Sequence, residues 1–360
     1  LGYEKSERMS NSDCSNKSKN YRNGYSKKTV KTQLGEIEVK VPRDRNGEYE
    51  PKIIGKYNRN ADGMEEKILS LYACGMSQRD IAEQIKNLYD VEISPELVSK
   101  ISEKIMPEVN EWQNRPLESI YPFVFMDAIH YKVKENHQYI TKAAYVVLGI
   151  NMEGGKDILG IWIGEHESSK FWLNVLTELK SRGVRDVYLF CVDGLTGFRE
   201  AIEAVYPSAG IQRCIIHQIR YSTRFVSYKD IKELMADLKL VYTAVTEDEA
   251  LNNLMSFKEK WSKSYPSCVK TWEDNWDILS TFFAYPAEIR KIIYTTNIIE
   301  GLNRQFRQIT KNKPSFTNDE SLRKMLYLAS KNIVKRWTQR CRNWDVVLNY
   351  LKVMFEDRTA

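Results

Sequence analysis

Polar residues open the chain. Ser, Asn and Lys crowd positions 4–28 with almost no aliphatic side chain, a composition expected to stay mobile or to order only on a partner. From Gly35 the pattern changes: Ile37, Val39 and Val41 alternate with Glu36, Glu38 and Lys40, the period of a half-buried strand, and Asn46-Gly47 offers a hairpin turn. Met64–Met106 then takes helical spacing. Ile68, Leu71 and Tyr72 line a first helix that Gly75 ends. Ser77 with Asp80 forms a capping box for a second, carrying Ile81, Ala82 and Ile85. Ser94 before Pro95 opens a third, with Leu97, Ile101 and Ile105 on one face. The run 75–85 followed by a capped helix is the helix-turn-helix pattern, although three-helix units also serve as plain packing modules.

Strand patterns follow. Tyr121–Met126 is an apolar run ending at Asp127, and Tyr139–Ile150 and Ile158–Ile163 flank the turn Glu153-Gly154-Gly155, so the three read as a meander. Ser168–Arg182 is helical, with Phe171, Trp172, Val175, Leu176 and Leu179 on one face and Gly183 as its stop. Val187–Val192 reads as a buried central strand ending at Asp193, Thr196–Val205 as a helix, and Ile211–Ile216 as a fifth strand. The order β-β-β-α-β-α-β predicts an α/β fold, a mixed five-stranded sheet with helices packed on it. After His217 the strand signals stop. Tyr228–Tyr265 predicts two helices (Ile231, Leu234, Leu238, Val241; then Leu251, Leu254, Phe257), and Thr296–Thr310, Glu320–Trp337 and Trp344–Phe355 predict three more. Trp261, Trp272 and Trp276 enrich this region; they fit a helical core, the commoner reason for such residues, or a platform for a flipped base.

At 360 residues the chain has the length of two or three domains, and 42% hydrophobic with 28% charged residues excludes disorder over most of it. The longest clean apolar run, Ala143–Ile150, is far short of the ~20 residues of a membrane span, so no membrane partner is expected. No secretory leader is read; the first residue, Leu1, suggests a missing N-terminal piece. Six scattered cysteines point to reduced, cytoplasmic thiols. The net charge of +6 is unevenly placed: residues 1–60 carry fourteen Lys/Arg against eight Asp/Glu, and Gly301–Arg342 eleven against two. Two basic blocks around a more acidic middle suit a polyanion held at both ends, or simply two solvated faces.

Asp127 and Asp193 each end a predicted buried strand, the edge of a sheet where sites assemble. Carboxylates there need a cation, and hard divalent ions bound by oxygen ligands serve; two-metal phosphoryl-transfer sites use such a cluster. Glu300 is the best third acid. On its helix Asn297, Glu300, Arg304 and Arg307 recur at steps of three and four, a stripe that read alone is more simply a solvated charged face. Cys214 and His217 form half a zinc motif without a second half. His130, His137 and His166 form no constellation, and no phosphate loop, nucleophile elbow or dinucleotide fingerprint occurs.

The segments Cys-Val-Asp-Gly-Leu-Thr-Gly-Phe-Arg-Glu-Ala-Ile-Glu-Ala-Val-Tyr-Pro (191–207) and Gln-Arg-Cys-Ile-Ile-His-Gln-Ile-Arg (212–220) closely resemble the signature of the Mutator-type bacterial insertion-sequence transposases. Asp193, Gly197, Pro207, Cys214 and His217 fall at its spacing, and Ile-Tyr-Thr-Thr-Asn-Ile-Ile-Glu-Gly-Leu-Asn-Arg (293–304) resembles the segment carrying the third acid. Arg-Asn-Gly-Tyr (22–25) and Val-Pro-Arg-Asp-Arg-Asn-Gly (41–47) also look familial. The resemblance implies a ribonuclease-H-like core with a catalytic DDE triad of Asp127, Asp193 and Glu300 holding two Mg²⁺ ions, Mn²⁺ substituting. Cys214 and His217 are implied as an auxiliary pair that positions the site. A helical insertion then explains the 107 residues between Asp193 and Glu300.

The domains expected are a basic arm with a β-hairpin (1–60), a helix-turn-helix domain (61–112), the core's first part (113–220), the insertion (221–290) and the core's C-terminal helices (291–360). The activity implied is cleavage and strand transfer at double-stranded terminal inverted repeats into target DNA, by a homodimer, in a cytoplasmic, nucleoid-associated setting. Arg304 and Arg307 would hold phosphates near the scissile bond, with Asn297 auxiliary. DNA contacts are expected from Arg22, Lys28, Arg43, Arg45, Gln78, Arg79, Ser94, Lys100, Lys311 and Lys313, and the basic stretch after Gly301 would track DNA backbone. The alternatives are an inactive, transposase-derived DNA-binding regulator and a ribonuclease acting on RNA–DNA hybrids. The first conflicts with the retained acids, the second with the helix-turn-helix and the insertion.

Overall fold

The computed structural model describes residues 22–32, 35–45, 63–89, 91–165, 168–194, 197–224, 226–294, 297–311 and 313–358. The chain divides into two compact units, residues 1–111 with 307–332, and residues 112–306 with 333–360.

In the first unit, β1 (Arg22–Thr32) pairs antiparallel with β2 (Gly35–Asp44). Residues 22–28, expected to be mobile, are therefore strand. Their polar sequence hides the pairing because β1 is stabilised by main-chain bonds and by cross-strand pairs such as Lys27 Nζ to Glu38 Oε1 at 2.7 Å. The β2 alternation buries Val39 and Val41 as expected, while Asn46-Gly47 lies outside the described residues. The helices α1 (Met64–Ala73), α2 (Gln78–Tyr89), α3 (Pro95–Glu103) and α4 (Met106–Asn114) follow. The capping box forms in both directions: Asp80 N donates to Ser77 Oγ at 3.2 Å and Ser77 N to Asp80 Oδ2 at 3.3 Å. Ser94 Oγ accepts from Leu97 N at the start of α3. Gly75 has φ +88°, and a Cβ there would stand 1.9 Å from the carbonyl oxygen of Ile309, so only glycine fits. Leu322, Met325, Leu326 and Ala329 complete this unit's core.

The second unit is mixed α/β. Its sheet comprises β3 (Ile120–Glu135), β4 (Gln138–Ile150), β5 (Lys156–Gly164), β6 (Asp186–Val192) and β7 (Gly210–Arg213) in the order β5-β4-β3-β6-β7. The first three pair antiparallel as the expected meander, and β3, β6 and β7 run parallel. Helices α5 (Ser169–Ser181) and α6 (Phe198–Val205) pack on it through a buried aromatic cluster. Trp172 stacks on Phe198 at 4.0 Å and meets Tyr145 edge-on at 4.9 Å.

Two boundaries differ from the sequence reading. Strand β3 does not stop at Met126 but runs through Asp127 to Glu135: beyond the apolar stretch Ile129, Tyr131 and Val133 are buried while His130, Lys132 and Lys134 are exposed, the alternation of a strand wet on one face. The fifth strand stops at Arg213, and Ile215 starts α7 (Ile215–Thr223) with Cys214 as N-cap. Ile215, Gln218, Ile219 and Ser222 are buried at steps of three, four and seven, a helical period that overrides the short apolar run.

The remaining helices are α8 (Tyr228–Tyr242), α9 (Glu247–Trp261), α10 (Pro266–Glu273), α11 (Trp276–Leu279), α12 (Ala287–Ile293), α13 (Asn297–Thr310), α14 (Asp319–Val334) and α15 (Trp344–Met354). Trp261 and Trp272 are core residues, their indole N–H groups donating to Asp237 and Ser222, so neither offers a face to a base. The five described cysteines are free thiols. Among the described residues no helix is long and apolar enough to cross a membrane.

Candidate active site

The parallel ladder between β3 and β6 ends at Met126 opposite Val192, so the next residues stand abreast, Asp127 within β3 and Asp193 just past the end of β6. Ligand atoms of Asp127, Asp193 and His217 all lie within 4.8 Å of one another. Asp127 is 8% exposed. Its Oδ1 accepts from the Ala128 amide at 2.8 Å and its Oδ2 from Asn303 Nδ2 at 2.6 Å. Burial raises its pKa above the usual carboxylate value, as does the charge of Asp193, against the two hydrogen bonds and His217. Asp193 Oδ1 accepts from the Gly194 amide at 2.6 Å. A Cβ on Gly194 would lie 2.0 Å from the Arg213 guanidinium, which bonds in turn to Asn275, so glycine lets this cation close over the turn after β6.

His217, on the first turns of α7, stands between two acids. Its Nδ1 is 3.7 Å from Asp193 Oδ1 and its Nε2 is 3.6 Å from Glu300 Oε1. Burial alone would lower the imidazole pKa; a hydrogen bond with Cys214 and the charges of Asp193, Cys214 and Asp127 overcome it and push the value up to about 9. Glu300 therefore lies on the far side of the imidazole from Asp193, and its Oε1 accepts from Arg220 at 2.9 Å. The structure brings the three acids and His217 into one neighbourhood, with Asp127 and Asp193 close enough to share an ion and Glu300 one side chain further out.

Helix α13 buries Ile299, Leu302, Asn303 and Phe306 and exposes Asn297, Arg304 and Arg307. The charged stripe is real, but the residue that reaches Asp127 is Asn303, which sequence reasoning passed over; the available signal was its place three residues past Glu300. Arg220, three past His217, was missed in the same way. The sequence-selected DNA-contact residues fall in the other unit. Arg43, Arg45, Arg79, Lys100 and Lys311 are exposed and Lys28 and Gln78 half-buried, whereas the Ser94 hydroxyl caps α3. The Arg22 side chain lies outside the described residues. Lys313 is held between the rings of Tyr72 and Phe316, at 4.9 and 5.0 Å, and burial with the nearby Lys324 charge lowers its pKa to about 8.

Two adjacent carboxylates supply only hard oxygen donors, the set that Mg²⁺ or Mn²⁺ prefers, with an imidazole beside them. Such a cluster can activate a hydroxyl and stabilise a leaving oxygen in phosphoryl transfer.

The chain is similar to known proteins over most of its length. The chain is 42% identical over 340 residues to a transposase for insertion sequence element ISRM3 from Rhizobium meliloti, covering 94% of this chain and 85% of the relative. It is 38% identical to a probable insertion-sequence transposase from Corynebacterium diphtheriae (89% and 99% covered) and 28% identical to the transposase of IS256 in transposon Tn4001 from Staphylococcus aureus (90% and 83%). Among solved structures, the Drosophila P element transposase strand transfer complex matches 81% of each chain with a TM-score of 0.34 and 12% identity, too slight a likeness to argue from. The family model for Mutator transposases matches residues 1–340, and the chain belongs to that family.

Proposed function

We propose that this chain is an active insertion-sequence transposase whose ribonuclease-H-like core cuts and rejoins DNA with a triad of Asp127, Asp193 and Glu300. The observation that carries the reading is the pair of aspartates abreast at the end of the parallel ladder. The donor set fits divalent cations: Asp127 and Asp193 would hold them, Glu300 completing the shell once it leaves Arg220, with Mg²⁺ the natural ion and Mn²⁺ a substitute. When bound, the ions supply charge neutralisation for the attacking and leaving oxygens.

The chain's own residues do the rest. Asn303 and the Ala128 amide fix the Asp127 carboxylate, and the Gly194 amide fixes that of Asp193. His217, hydrogen-bonded to Cys214, orients between Asp193 and Glu300; this is the positioning role of the auxiliary pair. Arg304 and Arg307, exposed on α13, hold phosphates beside the reacting one, with Asn297 at the helix start. Water attacks the phosphodiester at the element's end and displaces its 3′-oxygen; the freed 3′-hydroxyl then attacks a second phosphodiester, bonding to its phosphorus as that strand's own 3′-oxygen leaves as a hydroxyl. The helices α2 and α3, with Gln78, Arg79 and Lys100, and the basic arm read the terminal inverted repeat as a helix-turn-helix module, in a homodimer that pairs two ends within the cytoplasm.

The test is incubation of the purified chain with labelled DNA carrying its element's terminal repeat, in Mg²⁺ or in EDTA, beside Asp193→Asn. Nicking at the repeat boundary that needs both metal and Asp193 is expected. Cleavage by Asp193→Asn at the wild-type rate overturns the triad. Binding without cleavage moves the function to a DNA-binding regulator.

A further inference from the structure

Between α10 and α11 the chain turns at Asn275, and two elements beside the carboxylates are tied to that turn. From the end of β7, the Arg213 guanidinium donates through Nη1 to Asn275 Oδ1. From α7, Gln218 Nε2 donates to the Thr271 carbonyl at 3.0 Å and to the Thr271 hydroxyl at 3.1 Å. Asn275 Nδ2 donates to the same Thr271 carbonyl at 2.7 Å, so the two ties converge on one oxygen. Gln212, the residue before Arg213, adds a third. Its Nε2 bridges the Arg213 carbonyl at 2.7 Å and the carbonyl of Leu279, the last residue of α11, at 3.2 Å. Gln212 and Gln218 are buried, where breaking one partner of a hydrogen bond costs the full desolvation of the other.

Each tie reaches the site in one step. The Arg213 guanidinium occupies the space a Cβ on Gly194 would need, and the Gly194 amide donates to Asp193 Oδ1 at 2.6 Å. Arg213 therefore backs the turn that aims this carboxylate, and the two opposite charges attract. Gln218 follows His217 directly on α7. Its buried amide fixes the rotation of the helix that holds the imidazole 3.7 Å from Asp193 and 3.6 Å from Glu300. Asn275 belongs to neither β7 nor α7, yet it joins the two ties.

We propose that the corner Thr271–Asn275 is a positioning device for the acidic site: it holds Arg213 behind the Asp193 turn and Gln218 beside His217, so the helices after α7 set how Asp193 is presented to a metal ion. The inference rests on the transposase reading above and adds a part in the site for helices that supply no ligand to it.

The experiment uses the full chain with Asn275→Ala, with Arg213→Lys, which keeps the charge and loses the planar fork, and with the two combined. Arg199→Ala is the control, since it cuts only the exposed 2.6 Å pair between α6 and Asp277 of α11. Mn²⁺ binding to the purified chain without DNA is followed by the EPR signal of the free ion, beside a Mg²⁺ titration of terminal-repeat cleavage. Each single variant should raise the Mn²⁺ dissociation constant about tenfold, the lower end of what loss of a group orienting a metal ligand costs. The Mg²⁺ midpoint of cleavage should move by the same factor. The double variant should be no weaker than the weaker single one, because both cut the same tie, and Arg199→Ala should match wild type. Wild-type Mn²⁺ affinity in folded Asn275→Ala overturns the proposal. So do losses that multiply to about a hundredfold in the double variant, or a loss in Arg199→Ala equal to that in Asn275→Ala. Should Asn275→Ala not fold, wild-type affinity in Arg213→Lys overturns it instead. A wild-type chain that binds Mn²⁺ but never cuts DNA defeats the transposase reading alone, since the Mn²⁺ affinities still decide the corner; one that binds no Mn²⁺ defeats both.

Discussion

If the proposed triad binds metal, Asn303 should control how tightly Asp127 holds a divalent ion. Its side chain is fully buried, and its amide donates to Asp127 Oδ2 at 2.6 Å, a short bond to a largely buried carboxyl group. Hydrogen bonds to charged groups contribute about 1.5–3 kcal/mol. At ~1.4 kcal/mol per tenfold, Asn303→Ala should weaken whatever depends on a correctly aimed, ionised Asp127 by roughly ten- to a hundredfold. That is also the usual cost of removing a group that orients a metal ligand. The assay is a Mg²⁺ titration of terminal-repeat cleavage. The midpoint should move up by that factor, with most of the maximal rate recovered at saturating metal. A parallel Mn²⁺ titration should show the same displacement. Thermal unfolding should report a loss of about 1–3 kcal/mol, because the variant leaves a buried carboxylate short of a donor. An unchanged Mg²⁺ midpoint in a folded Asn303→Ala chain would refute the reasoning and leave Asn303 as a packing residue.

Three further outcomes follow from the geometry. Arg220→Ala removes the 2.9 Å partner of Glu300; because Arg220 is 60% exposed, stability should change by less than ~1 kcal/mol. The Mg²⁺ midpoint should fall severalfold as Glu300 is released, and a rise would mean that Arg220 helps to bind the DNA instead. Gly75→Ala forces a Cβ onto the Ile309 carbonyl at a left-handed φ and should destabilise the first unit by about 2 kcal/mol or more, read as a lower Tm or an added early transition. Lys313, with a folded pKa of about 8 below its ordinary 10.5, carries a folding penalty that is whole below pH 8 and relieved as pH rises from 8 towards 10.5. Lys313→Met should therefore stabilise the chain at pH 7 by roughly 1–3 kcal/mol in urea unfolding, with the gain fading towards pH 10.5; a gain flat across that range would refute the assignment.

The residues that escaped the sequence reading share a physical cause. Val187–Val192 announces itself because a strand covered on both faces must be apolar throughout, and Asp193 is conspicuous where that run stops. Asp127 was found for the same reason but misplaced: the charge was read as the strand's end, while β3 continues with one wet face. Ile211–Ile216 is too short for its period to separate strand from helix. What decides in favour of α7 is the burial of Gln218 and Ser222, polar residues that carry no inward signal until their partners are known: Thr271 for the first, Trp272 for the second. Asn303 is hidden in the same way, since an amide next to Arg304 looks solvated until Asp127 is placed opposite. Hydrophobic periodicity thus locates a sheet and the acids where its apolar runs stop, because burying a carboxylate there costs enough to stand out. It is blind to the neutral and cationic groups that make those acids tolerable. Those groups lie one helical turn from a recognised residue, as Asn303 does from Glu300 and Arg220 from His217. Polar residues three or four positions from a candidate ligand, on the same helix, are therefore where a sequence reading of such a site should look next.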